Sequence, residues 1–142
     1  MKTSIALDGL PTESPVQAHK LARWSGRVVS ALPALMMLVS GAMKLSHAPP
    51  MVEMWTSKFG WSEAALTPIA ILEVIVALVY LIPSTAVLGA ILVTGYLGAA
   101  YATHLRIGEG NAVIPIVLGV FAWAGLYLRD PRVRALLPLR KH

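Results

Sequence analysis

Residues 74–103 read VIVALVYLIPSTAVLGAILVTGYLGAAYAT, thirty consecutive residues without a charge. As one straight helix this stretch would be about 45 Å long, too long for a ~30 Å hydrocarbon core. Pro83-Ser84 punctuates it. Proline lacks an amide N–H and clashes with the preceding turn, so a helix ends or bends there. The solution is a helical hairpin, with one apolar helix over 66–82 and the next over 84–103. A sheet is excluded because the runs do not alternate at period two and lipid does not tolerate an open sheet edge.

The flanking sequence repeats the theme. Val28 to Met43 (VVSALPALMMLVSGAM) carries no charge, and Leu45 with the stem of Lys44 extends it toward about 20 residues. Arg23, Arg27 and Ser46-His47-Ala48 have features of a secretory leader. The long polar segment before them, Pro49 after the presumed cut and the later spans favour a signal anchor instead. Beyond the short polar loop RIGEGN (106–111), Asn111 to Leu128 makes another apolar run. The fold class is therefore all-α: a four-transmembrane-helix bundle over 28–128, with spans at about 28–45, 66–82, 84–103 and 111–128. A polar, loosely ordered tail (1–27) precedes it and a basic tail (129–142) follows. Composition agrees. Of 142 residues, 56% are hydrophobic and 13% charged, against roughly 25% charged in soluble domains.

The net charge of +5 raises the question of nucleic acid, but its distribution answers for topology instead. Lys2, Lys20, Arg23, Arg27, Arg129, Arg132, Arg134, Arg140 and Lys141 make nine of the twelve basic residues, all in the tails. Four spans put both termini and the Pro83 turn on one side with those nine. The other side keeps Lys44, Lys58 and Arg106. The positive-inside rule then places the N- and C-termini in the cytoplasm, and no nucleic-acid partner is called for.

Between the first two spans, Met51, Met54, Trp55 and Lys58 recur at helical spacing, with Pro49 and Pro50 where a helix would begin. A short helix with one apolar face and an ordered loop are equally good readings. Trp55, Phe59 and Trp61 suit headgroup depth.

Few residues can carry chemistry. The absence of cysteine excludes disulfides, thiolate metal sites and dithiol relays. No phosphate-binding glycine loop, HExxH or nucleophile elbow is present. Glu73 lies seven residues inside the second span, about 10 Å below the boundary. A carboxylate at that depth is costly unless paired, protonated or wet. Ala70 and Ala77 on its face favour close helix approach, so Glu73 looks into the bundle. Lys44, with Ser40 one turn away, is its natural partner. The Lys44–Glu73 pair is either a structural lock between helices or a functional centre. At the same depth, Tyr101, Thr103 and His104 form a polar collar that either lines a pocket or is an ordinary interfacial belt. His47 and His104 alone make no metal motif, so no metal is expected. Small residues at Thr94, Gly95, Gly98, Ala99 and Ala102, and at Gly119, Ala122 and Gly125, read as helix-packing surfaces. Met36, Met37 and Met43 read as gap-filling or lipid-facing residues.

The order of several marks carries a family likeness. SGAMKL (40–45) ends the first span, FG follows at 59–60, then ILEVIVALVYLIP (71–83) with Glu73, then GAILVTGYLGAAYATHLRIG (89–108). This resembles the DoxX-like family of small four-helix membrane proteins, over roughly residues 28–128. The resemblance implies a multi-pass protein of a prokaryotic inner membrane. It marks Lys44, Glu73 and His104 as family polar positions, without a catalytic role. Some relatives are membrane subunits of oxidoreductases, one passing electrons from thiosulfate to quinone. The expectation is a non-catalytic or accessory subunit of a membrane redox complex, with lipid and an oxidoreductase partner subunit around it. One alternative is a quinone-linked oxidoreductase with a polar pocket near the outer face. A second is a small transporter or proton pathway using Glu73. A quinone is the one cofactor these readings suggest.

Overall fold

The computed structural model describes residues 15–108 and 110–136. The readings of residues 1–14, of Glu109 and of the basic positions Arg140 and Lys141 lie outside the described residues. Six α-helices follow in order: α1 (Pro15–Leu45), α2 (Pro49–Glu53), α3 (Leu66–Leu81), α4 (Ala86–Arg106), α5 (Val113–Arg129) and α6 (Pro131–Leu136). A π-helical turn, Met54–Lys58, continues α2, and single 3-10 turns, Glu63–Ala65 and Gly110–Ala112, lead into α3 and α5. No strand occurs among the described residues.

The helices α1, α3, α4 and α5 form a square in which each packs on two neighbours: α1 on α3 and α5, and α4 on α3 and α5. Three stretches, Lys20–Leu45, Glu63–Leu81 and Ala86–Arg106, are long and apolar enough to cross a membrane. The apolar α5 is shorter, at 17 residues. Leu72, Ile75 and Leu78 on α3, Leu88 and Ile91 on α4, and Val120 on α5 all point outward and exposed. In water such a surface would drive association. In hydrocarbon it is the ordinary solvent face, because lipid tails are as apolar as leucine.

The helix starting at Pro15 reaches well into the segment read as a tail, so residues 15–27 are helical. Their packing explains it. A Cβ added at Gly26 would lie 2.7 Å from Arg129 N, so the two backbones meet where α5 ends. Pro33 sits inside α1, buried, and the helix continues past it to Leu45. The lost Pro33 N–H removes one bond, to the carbonyl four residues before it, and the packed neighbours hold the helix together.

At the α3–α4 turn, Pro83 cannot donate to the Val79 carbonyl four residues earlier. The Thr85 hydroxyl donates there instead, at 2.8 Å. This substitution closes α3 without leaving a carbonyl unpaired in an apolar setting. Gly89 on α4 then lies directly against the Tyr80 backbone, where any Cβ would collide. Tyr80 itself is fully buried. Its hydroxyl donates to Ala122 O of α5 at 2.8 Å, and Arg129 both donates to Tyr80 O at 3.3 Å and stacks 5.1 Å from the ring centroid.

At the opposite end, residues 49–61 fold over the bundle as a cap. Pro49 and Pro50 open α2, where their missing N–H groups cost nothing. The π turn closes with Phe59 N donating to Met54 O at 3.0 Å. Its extra residue rotates the helix so that Met51, Trp55 and Phe59 all face inward and are buried with Leu66. Trp61 stacks on Trp55 with centroids 6.1 Å apart. Gly60, at φ 68°, takes the left-handed turn that ends the cap.

Candidate functional site

The site begins with the last turn of α1. Ser40 and Lys44 are four residues apart and stack on one face of the helix. Lys44 Nζ donates to Ser40 Oγ at 2.5 Å and to Glu73 Oε2 of α3 at 2.7 Å. Ser40 Oγ also donates to Glu73 Oε2, at 3.4 Å. Lys44 is 7% exposed and Glu73 3%, so this is a buried pair with its own hydroxyl bridge. Gly41 makes the approach possible. A Cβ there would lie 2.7 Å from Val74 Cγ2 and 3.7 Å from Glu73 Oε2. The run SGAMK thus joins a hydroxyl, a backbone gap and a cation within five consecutive residues.

Below the cap, the pair borders a cavity of about 350 Å³. α4 contributes Tyr96, Ala100, Thr103 and His104, and α5 contributes Pro115 and Leu118. The Tyr96 phenol turns toward the Glu73 carboxylate. Phe59 roofs the cavity edge-on to the His104 ring, with centroids 5.1 Å apart. Met36, Met37, Met51 and Met54 supply much of the remaining wall. Their flexible thioethers adapt to varied apolar shapes. Arg106 holds the roof down: its guanidinium donates to Phe59 O and lies 5.8 Å from the Trp61 ring centroid.

Of the sequence-derived candidates, Ser40, Lys44, Glu73, Thr103 and His104 all line this one cavity. Tyr101 does not. It faces a larger, open groove of about 940 Å³ between α4 and α5, with Gly98, Gly119 and Trp123. The i, i+3 spacing of Tyr101 and His104 spans about 60° of helix, and a seam between neighbours falls within that angle. Tyr96 takes the place given to Tyr101. Its signal was present in the stripe Tyr96, Ala100, Thr103 and His104, spaced i, i+4, i+7 and i+8. His47 and His104 are not brought together. His47 Nε2 meets Thr67 Oγ1 at 3.1 Å, and its other ring nitrogen lies 3.6 Å from Glu63 Oε1. Among the described residues, no three His, Asp or Glu side chains cluster as a metal site.

The small-residue stripes divide. Gly125 sits where a Cβ would be 2.7 Å from Ser30 N, so it packs α5 against α1. Gly95 and Gly98 meet nothing within 4 Å, and Gly98 opens onto the α4–α5 groove. There Trp123 Nε1 donates to Thr94 Oγ1 at 2.8 Å, which ties α5 to α4 beside the groove.

Chemically, the cavity offers hydrogen-bond donors around an apolar, aromatic and thioether-lined space. Such a space has the volume and the mixed lining of a small-molecule site.

No curated protein and no solved structure matches the chain. The DoxX-like family does, over residues 28–125, a range that takes in α3, α4 and the Ser40–Lys44 turn of α1. With its apolar outer surface, buried pair and four-helix square, this multi-pass membrane protein belongs to the DoxX-like family.

Proposed function

We propose that the protein is an accessory membrane component that binds a quinone headgroup and presents it to a partner oxidoreductase. One observation carries the reading: the buried Lys44–Glu73 pair is not sealed between helices but borders a cavity of about 350 Å³. That volume lies within the ~300–1,000 Å³ range of small-molecule sites. A quinone ring presents two carbonyl acceptors on a flat apolar plate. The Lys44 ammonium and the His104 imidazole supply donors to a quinone carbonyl, Tyr96 stands beside them on Glu73, and Phe59 and the methionines contact the faces. Glu73 holds Lys44 and Tyr96 toward the cavity.

Four crossings, counting α5 as one, put the cap and cavity at the outer face and both termini in the cytoplasm. The charge asymmetry of the tails supports that orientation. A proton pathway or transporter is a poorer account, since Glu73 is already neutralised by a cation 2.7 Å away. Titrating purified protein with a benzoquinone analogue, followed by tryptophan fluorescence, tests the reading. Saturable quenching that weakens about tenfold in Glu73→Gln is expected. Equal affinity in wild type and Glu73→Gln would remove the pair from the site. Isolation from mild detergent should also bring down a stoichiometric partner, and recovery of this chain alone would count against the accessory role.

A further inference from the structure

The cavity beside Lys44 and Glu73 is covered by Phe59 and Trp55, and some of its lining side chains also face the exterior. Where α1 and α5 approach the tail end, Gly125 leaves no room for a Cβ beside Ser30 and Gly26, so their backbones touch. On the same face of α5, seven and eleven residues toward the cap, stand Leu118 and Ile114. Opposite them on α1 is Met36. All three line the cavity, yet Met36 and Ile114 are each 47% exposed on the outer surface. These large aliphatic side chains that both border the cavity and face the exterior give it an apolar edge at the α1–α5 seam. Overhead, by contrast, Trp55 and Phe59 are buried and the Arg106 latch holds the Phe59 carbonyl.

We infer that the cavity is reached from within the bilayer, through a portal between α1 and α5 edged by Met36, Ile114 and Leu118, and that its ligand carries an apolar tail lying in that portal. This rests on the headgroup-binding reading above and adds the class of molecule: a lipid-dissolved amphiphile, not a water-borne solute. The division of the wall supports it. Lys44, Glu73, Tyr96 and His104 lie inward, where a headgroup would stop, and the portal edge has no polar side chain. A tail drawn through Met36 and Ile114 exchanges lipid contacts for protein contacts of equal apolarity, so it costs little. A headgroup crossing the aromatic roof would instead have to break the stack of Trp55 and Trp61.

The cysteine-free chain allows a direct test. Ile114→Cys, at an exposed position, is purified in lipid nanodiscs and compared before and after alkylation with a bulky maleimide. Two probes are titrated: a benzoquinone with a ten-carbon tail, and the same headgroup without a tail. Alkylation should weaken the tailed probe at least tenfold and leave the tail-less probe within twofold. Met36→Cys should behave alike, and Ile75→Cys, on the exposed outer face of α3 and outside the cavity lining, should show no effect. The portal is overturned if alkylation at 36 and 114 leaves the tailed probe unaffected, or if Ile75→Cys responds as strongly as they do. Equal weakening of both probes would also overturn it, since the label would then be filling the headgroup site. If neither probe binds unlabelled protein, the headgroup reading itself falls and takes the portal with it.

Discussion

Lys44 Nζ lies 2.7 Å from Glu73 Oε2, and this contact ties the last turn of α1 to the middle of α3 where both are buried. Two charges in an apolar setting are tolerated only as a pair, because each alone bears the full cost of desolvation. The Ser40 hydroxyl adds a third member that contacts both ions. The pair therefore both fixes the docking of two helices and supplies a polar wall to the cavity.

Removing one ion should be worse than removing both. Lys44→Met is expected to cost about 3–5 kcal/mol, because it strands a buried carboxylate. Lys44→Met combined with Glu73→Leu should recover most of that loss. Denaturant unfolding in detergent micelles measures both. A double variant no more stable than the single would show that the pair is not the source of the coupling.

Tyr96 and Tyr101 should separate cleanly in binding. Tyr96→Phe removes a hydroxyl beside Glu73 and should weaken a benzoquinone analogue about tenfold, equivalent to about 1.4 kcal/mol. Tyr101→Phe, in the α4–α5 groove, should leave that affinity unchanged. The reverse order would return the site to the position suggested by spacing alone.

Gly125 and Gly95 make a second contrasting pair. Gly125→Val drives a side chain into Ser30 and the Gly26 carbonyl, at a cost of about 1–3 kcal/mol for overpacking. Gly95→Ala meets open space and should hold or slightly raise stability, since alanine is the better helix former. Thermal unfolding in one detergent compares them. Equal losses would contradict the close α1–α5 crossing.

Tyr80→Phe deletes the hydroxyl that reaches Ala122 O across the bundle. The Ala122 carbonyl keeps its place in the α5 helix, so the loss should be near the ~0.6 kcal/mol average for interhelical bonds in membranes. A loss of several kcal/mol would mean that the phenol organises more of the tail end than this bond.

Arg106 latches the cap through Phe59 O and Trp61. In Arg106→Ala, amide exchange at Phe59 and Trp61 should accelerate about tenfold while α3 amides stay protected, because the cap becomes a separate low-stability unit. Uniformly unchanged exchange would show that aromatic packing alone holds the roof.

The helices were legible from residues alone because the information is local. An uncharged run long enough for hydrocarbon, broken by Pro83, dictates α3 and α4 wherever the rest of the chain goes, since backbone polar groups in lipid must bond within their own segment. Boundaries shifted by a few residues: α4 runs to Arg106, not Thr103, because its polar last turn is held by the cap. Glu73 and Lys44 were also legible, as ions too costly to leave apart. What only the tertiary structure decided was which neighbours share a space. Helical phase says that Tyr101 and His104 lie close, but the position of a seam between α3, α4 and α5 sends one into a groove and the other into a cavity. The close approach of α1 and α5 likewise follows from glycine contacts, residues 26 and 125 being distant in sequence. Length and polarity act along the chain and can be read from it, whereas enclosure depends on distances between helices that no single segment contains.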